Sequence, residues 1–531
     1  MCGVVGIMGT PEASREAFLA LTTLQHRGQD AAGILTYDAE GFHKVRNLGL
    51  VENVFNRDNM ATLTGNIAIA HNRYSTAGRG TIDEVQPFLI SYPFGISLAC
   101  NGNIVNSNEL ARELKAGSRR HLLTHSDTEI LLNLLAEALE KSVPASSTAL
   151  ADEATLPDTL TFDQICQAVT TICKRVNGSY SVVSTIADHG LIAFRDPYGI
   201  RPLVYGKKLM RREGEKETAL ATGEAHMVAS EGVALDFCGY ELVRNLEPGE
   251  LLYIDAAGKV HTRVLDQRQA RHCMFEWIYF ASPESVIDQT PVYGTRLQLG
   301  KNLSNIVKRE LSAKGFHADL VVPIPETSRI AAITLAEELG VPNREVLIKN
   351  RYIKRTFILD SQDKRQKAVN LKLSPVKSEI TGKNILLVDD SIVRGTTSKK
   401  IIELVRRAGA ERVFIVSTCP PIRKPCFYGI DFPSEQELVA HGRTTQEIET
   451  ELGADAVIYQ DLAGLENAIH EAQNIATQGK SKKFKPCMAC LDGKYPTDVT
   501  ESGKKFGASR SAERKLKSIE AADKKSLDYG P

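Results

Sequence analysis

Apolar residues in the first half of the chain fall in short runs broken by glycine and asparagine. Val4–Ile7, Ile67–Ala70, Ile96–Ala99, Tyr180–Ile186 and Leu191–Phe194 are too short for buried helices, which predicts strands. Helices are fewer there. Thr128–Glu140 (TEILLNLLAEALE) is the clearest, with Ser126 or Asp127 placed to cap it. Lys141–Leu160, rich in Ser, Ala, Thr and Pro, reads as a surface insertion.

The pattern changes across Val264–His272, which predicts a domain boundary. From about Cys273 it alternates: apolar Leu320–Ile324, helical Ser328–Gly340 with a glycine stop, apolar Asn384–Val388, helical Thr397–Ala408, then apolar Val413–Ser417. Strand–helix–strand order of this kind predicts a parallel sheet covered by helices. The residues from Gly503 onward are rich in Lys, Ser and Ala and predict a disordered tail. No internal repeat is present. The resulting division is 2–264, 265–478, a cysteine-bearing segment 479–502 packing on the body, and a tail 503–531.

Composition narrows the classes. A chain of 531 residues predicts two to four domains and buries a core without disulfide staples. Lys plus Arg and Asp plus Glu are both 65, which argues against nucleic-acid or membrane-surface binding through bulk charge. The longest charge-free run, Val85–Asn108, is broken by Pro87, Pro93 and Gly95, so it is a poor membrane span. With no signal-peptide pattern, the expectation is a soluble cytoplasmic protein. In a reducing compartment the 10 cysteines are buried, catalytic or metal-binding. Cys100, Cys166, Cys173, Cys238 and Cys419 are read as small buried hydrophobes.

Cys2 is different. Removal of Met1 would set its thiol beside a free α-amine, whose pKa of roughly 7.7–8.0 makes it a general base near neutrality. Downstream lie HRGQDAAG (His26–Gly33), HNRYSTAG (His71–Gly78), NGN (Asn101–Asn103) and HSDTE (His125–Glu129), each beside a strand or at a helix start. Cleaving an amide needs an oxyanion donor pair, which the Asn101 side chain and the Gly102 N–H would supply. A forked guanidinium such as Arg73 suits a substrate α-carboxylate, and Asp127 an α-ammonium. His26, His71 and His125 are read as structural. In this order, these motifs resemble the class II glutamine amidotransferases, over roughly Cys2–Leu252. That resemblance implies an αββα N-terminal-nucleophile hydrolase sandwich. It also implies hydrolysis of glutamine through a thioester on Cys2, with ammonia released internally.

NILLVDDSIVRGTTS (Asn384–Ser398) is a strand, two adjacent carboxylates and a small-residue loop opening a helix. Backbone N–H groups and hydroxyls of Ser391–Thr397 would hold phosphate at a helix N-terminus. Asp389 and Asp390 would accept from ribose hydroxyls or approach a divalent cation. The run resembles the 5-phosphoribosyl 1-pyrophosphate (PRPP) motif of type I phosphoribosyltransferases, which implies an α/β domain with a parallel sheet and a site at Asp389, Asp390, Ser391, Arg394, Gly395, Thr396 and Thr397. PIPETSR (Pro323–Arg329) would then place Thr327 near Mg²⁺ with the two aspartates. KNRYIKRTFI (Lys349–Ile358) would close as a lid, bringing Lys349, Arg351 and Lys354 to pyrophosphate.

Together the two halves resemble the family of glutamine PRPP amidotransferases, from residue 2 to about 497. RDPYGIRPL (Arg195–Leu203), FEWIYFASPES (Phe275–Ser285) and CFYGID (Cys426–Asp431) contribute to that likeness. It implies transfer of ammonia from Cys2 through a channel to C1 of PRPP, giving 5-phosphoribosylamine, the first committed step of purine synthesis. It further implies a homotetramer inhibited by purine nucleotides. Asn370 departs from the basic residue that many members carry after Val369. Cys273, Cys426, Cys487 and Cys490 suit Zn²⁺ or an iron–sulfur cluster by spacing alone, or remain free thiols. The likeness implies a structural 4Fe–4S cluster. Two rivals lack one half of this pattern: a glucosamine-6-phosphate synthase has no place for Asn384–Ser398, and a ligand-sensing regulator no need of Cys2, Arg73 and Asp127.

Overall fold

Strand periodicity decides the first half. In Gly3–Met8 the side chains of Val4 and Val5 point to opposite faces, and both faces are buried. The computed structural model describes residues 1–74, 81–143, 160–210, 223–349, 373–432, 434–481 and 483–499. Gly3–Met8 lies fourth in a seven-stranded antiparallel sheet, between Gly223–Ala229 and Ile67–Arg73. A second antiparallel sheet of six strands is centred on Gly190–Arg195, Gly178–Ile186 and Ile96–Ile104. Val4, Leu35 and Ile69 of the first sheet meet Val183, Leu191 and Leu252 of the second. Outside, Ala13–Thr23 packs on Val5, Ile7 and Ile34, while Asp127–Ser142 and Phe162–Arg175 cover the second sheet. The layering is αββα.

The helices are more numerous than the apolar pattern predicts. Phe162–Arg175 begins with a reciprocal capping box between Thr161 and Gln164, a signal present in the sequence. Ser126 occupies the cap position of Asp127–Ser142, but its side chain makes no capping bond. Val204–Met210 and Glu241–Asn245, at one edge of the first sheet, are half polar because they are partly solvated, which masks them as strands. Of the five cysteines read as buried hydrophobes, Cys238 alone is half-exposed.

In the second half four parallel strands run in the order Leu320–Pro323, Asn384–Asp389, Arg412–Ser417 and Ala456–Tyr459. Val292–Ala313 and Arg329–Leu339 cover one face through Val321, Leu386 and Phe414. Thr396–Arg407 and Thr445–Leu452 cover the other through Ile385, Leu387 and Ile415. Gly340 ends its helix in the left-handed conformation, φ 68°, as its position predicts. The tail from 503, most of the 141–160 insertion and the lid beyond Lys349 lie outside the described residues.

A separate apolar cluster fills the seam between the halves. Trp277 and Ile278 meet Phe427 and Tyr428, Met488 from the C-terminal segment, and Met1 and Ile200 from the first half. Among the described residues, no helix is long and apolar enough to cross a membrane. Phe414, fully buried in the parallel sheet and stacked on Phe316 at 5.4 Å, tests the second core. Phe414→Ala is expected to lower stability by about 3–5 kcal/mol, read by calorimetry.

Candidate functional site

Cys2 stands at the head of the central strand Gly3–Met8, 8% exposed. Asn72 Oδ1 accepts from the Gly3 N–H at 2.8 Å, fixing the strand start. The Cys2 N–H donates to Asn101 Oδ1 at 3.1 Å. Since Oδ1 is engaged, Asn101 Nδ2 is left as a buried donor without a hydrogen-bond partner. A buried unpaired donor is unfavourable unless a ligand completes it, and an oxyanion beside Cys2 would do so. At Gly102 a Cβ would lie 2.0 Å from Ser179 O, so the close strand approach requires glycine there. Cys2 Sγ lies 3.9 Å from the Tyr74 carbonyl oxygen.

Arg73 and Asp127 come to the same end of the sandwich. Arg73 is paired with Glu84 at 3.0 Å, so it is already compensated. Asp127 heads its helix and accepts from the Ile104 N–H at 2.9 Å. Burial pushes its carboxyl up, against the Ile104 N–H and the Arg73 charge, which pull it down. Two of the three histidines, His26 and His71, are built into the structure. Burial, with Arg73 nearby, lowers His71 to about 3, so it is neutral; His26 bridges Thr23 O and Glu231; His125 is exposed. The Met1 amine is buried, which together with Arg201 and Arg27 lowers it to about 5. Residues 75–78 of the HNRYSTAG motif lie outside the described residues.

The second cluster occupies a cleft of about 410 Å³ at the carboxyl ends of the parallel strands. Asp389, Asp390, Ser391, Arg394, Gly395, Thr396 and Thr397 all line it. Gly395 turns the loop into Thr396–Arg407 with φ 75°; a Cβ there would lie 2.7 Å from Leu452 Cδ2. The turn leaves the helix N-terminus open to the cleft, a site suited to phosphate. Burial raises both carboxyls, and mutual repulsion raises Asp389 further. Asp390 stands at about 6, held down by Ser391, Arg296 and Thr327. Thus Thr327 does adjoin the carboxylate pair.

Arg296, buried behind the cleft, is a neighbour of Asp390 that the motifs missed. Its guanidinium is buried, donating to the carbonyls of Trp277 at 2.9 Å and Ala281 at 2.8 Å. Only the tertiary fold brings it to Asp390. Arg394 pairs with Glu437 at 3.2 Å, and Lys349 with Glu326 at 3.7 Å. Arg351, Lys354 and Asn370 lie outside the described residues.

The two clusters share a wall. Tyr74 lines the cleft together with Phe275, Phe280, Ile430 and Phe432, while its carbonyl faces Cys2 Sγ. The loop Cys426–Asp431 is pinned to the first half. Asn103 Nδ2 donates to Phe427 O at 2.9 Å, and Ser179 Oγ to Tyr428 O at 2.8 Å. A Cβ on Gly429 would lie 3.1 Å from Gly102 O. The CFYGID run therefore touches the Asn101–Asn103 stretch of its strand on one side and lines the cleft on the other.

Cys273, Cys426, Cys487 and Cys490 are all buried at the seam. Cys273 and Cys487 sit on adjoining extended segments, and Cys426 Sγ accepts from the Tyr428 N–H at 3.3 Å. Burial pushes the Cys490 thiol up, and its neighbours Cys426, Cys419, Cys273 and Cys487 push it further. Cys419 is thus a fifth neighbour that spacing did not single out. Among the described residues, no three acidic, histidine or cysteine side chains are already drawn together as a metal cage.

A glutamine amidotransferase domain model matches residues 56–147, and a phosphoribosyl transferase domain model residues 296–428. The chain is 45% identical over 473 residues to the amidophosphoribosyltransferase of Escherichia coli K12, covering 88% of each. It is 38% identical over 517 residues to that of Methanothermobacter thermautotrophicus, covering 97% of this chain and 98% of the relative. Among solved structures, the glutamine PRPP amidotransferase from B. subtilis, complexed with ADP and GMP, superposes with a TM-score of 0.76. The two chains are 35% identical, over 94% of this chain and 98% of that one. With both domain models matched in order and identity sustained over most of its length, the chain belongs to the amidophosphoribosyltransferase family.

Proposed function

We propose that this chain is a glutamine-dependent amidophosphoribosyltransferase with Cys2 as its nucleophile. The observation that carries the reading is Tyr74, which faces Cys2 Sγ through its carbonyl and lines the phosphate-binding cleft. With Met1 removed, the Cys2 amine takes the thiol proton and Sγ attacks the glutamine carboxamide. Asn101 Nδ2 and the Gly102 N–H stabilise the oxyanion, while Arg73 and Asp127 hold the amino-acid end. Ammonia leaves, and water releases glutamate from the thioester. The ammonia passes along the apolar wall to C1 of PRPP and displaces pyrophosphate, leaving 5-phosphoribosylamine. That product opens de novo purine synthesis.

In the cleft, Ser391, Arg394, Gly395, Thr396 and Thr397 bind phosphate. Lys349, Arg351 and Lys354 serve a lid over pyrophosphate. Asp389, Asp390 and Thr327 would hold Mg²⁺, which neutralises pyrophosphate charge when bound. The fit rests on two adjacent carboxyls that burial raises, Asp389 further by the charge of Asp390, an arrangement a divalent cation relieves. The four seam thiols fit a 4Fe–4S cluster in donor chemistry: buried sulfurs, one N–H···S bond, and Arg201 adding positive charge near Cys273. Its role is structural, securing the C-terminal segment. The domain division 2–264, 265–478 and 479–502, a cytoplasmic homotetramer and inhibition by purine nucleotides complete the reading. The nucleotide-bound relative supports the last of these.

Mutation separates the two sites. Cys2→Ala is expected to abolish synthesis from glutamine and spare synthesis from high ammonia, whereas Asp389→Asn with Asp390→Asn removes both, measured as pyrophosphate release. Loss of both by Cys2→Ala, or survival of either in the aspartate variant, would refute the two-site scheme. Cys426→Ser is expected to lose iron and lower the melting temperature; an unchanged protein would refute the cluster.

A further inference from the structure

Four charged side chains are buried together beneath Cys2, and the reaction as described gives them no task. Arg27, Arg201 and Glu231 are fully buried, and Glu276 is 1% exposed. Arg27 Nε donates to the Cys2 carbonyl at 3.0 Å. Its two terminal nitrogens grip the Glu276 carboxylate at 3.0 and 3.1 Å, and it also meets Glu231. Glu276 Oε1 lies 3.5 Å from Arg201 Nη1, and Arg201 Nε donates to Tyr428 O at 2.9 Å. Burial would raise Glu231, but Arg27 and His26 hold it below the usual carboxylate range.

The arrangement has direction. Arg27, Arg201 and Glu231 belong to the first half; Glu276 comes from the segment that carries Phe275 and Phe280 into the cleft wall. Burying four ions is less favourable than filling the same space with apolar side chains, so packing alone does not account for them. A bidentate carboxylate fixes the plane of a guanidinium. With that plane set, Arg27 Nε has one direction, and the Cys2 carbonyl lies along it. The carbonyl orients the residue that bears the nucleophile.

We propose that Glu276 is a positioning residue for Cys2, acting through Arg27. Because it also meets Arg201, which holds the Tyr428 carbonyl, it ties the alignment of the thiol to the cleft loop Tyr428–Phe432. The inference rests on the transferase reading above and adds a residue of the second half to the glutamine site. Synthesis from free ammonia bypasses Cys2 and therefore needs no such alignment.

The test is Glu276→Gln in the full chain, which keeps the shape and removes the charge. Glutamine-dependent kcat is expected to fall roughly 10–100-fold at a nearly unchanged KM for glutamine, while the ammonia-dependent rate stays within about twofold. A parent-like glutamine kcat, a rise in KM alone, or equal loss with both donors would overturn the proposal. Should the single variant fail to fold, Arg201→Gln with Glu276→Gln removes one charge of each sign and is judged by the same criteria. The parent enzyme run alongside separates the two claims. If it makes no product from either donor, the transferase reading falls and this inference with it; if only the variant behaves unexpectedly, the inference alone falls.

Discussion

Glu276 reaches from the second half into a pocket where Arg27 and Arg201 of the first half are withdrawn from water. A buried guanidinium stripped of its partner is strongly destabilising, by about 3–5 kcal/mol, so the halves are held in one register. The rest of the seam follows from that register. Tyr428 O lies where Arg201 and Ser179 meet it, and the loop it belongs to continues as Ile430 and Phe432 in the cleft. On the other side, the same loop closes on Gly102 and Asn103 of the strand Ile96–Ile104.

That register matters because the two reactions share a small neutral intermediate that water would carry away. Ammonia has no anchor to hold it, so the protein must make the path short and apolar. Aromatic rings from three separate segments, at Tyr74, Phe275 and Phe432, line the cleft, and Tyr74 also reaches Cys2 through its carbonyl. Glycine stands on both sides of the contact with the oxyanion strand: Gly102 because a Cβ would meet Ser179 O at 2.0 Å, and Gly429 because its backbone adopts φ 100°.

The parts of this molecule legible in the sequence are those with a local signature. The phosphate loop needs small residues and a turn into a helix within a few positions, so Asp389–Thr397 could be read directly. Strands buried along their whole length, such as Gly178–Ile186, stand out; Val204–Met210, paired on both sides but part-exposed from Lys207 onward, does not. Asn101 and Gly102 could be named as oxyanion donors, but which amide atom is free follows only from the Cys2 N–H contact. The roles of Arg296 and Glu276, and the contacts that pin the quoted run Cys426–Asp431 to the first half, were not legible, because each acts across distances in sequence that no spacing rule spans. Arg73 could be named as an anchor for a carboxylate, but its pairing with Glu84 follows only from the fold.

The central claim is that one chain couples glutamine hydrolysis to sugar amination. It is tested most directly by following glutamate and pyrophosphate in one tube, with glutamine, PRPP and Mg²⁺ present together and omitted in turn. The account predicts that both products appear together and that each depends on both substrates. Glutamate released without pyrophosphate when all components are present would contradict it and leave the cleft with a different acceptor.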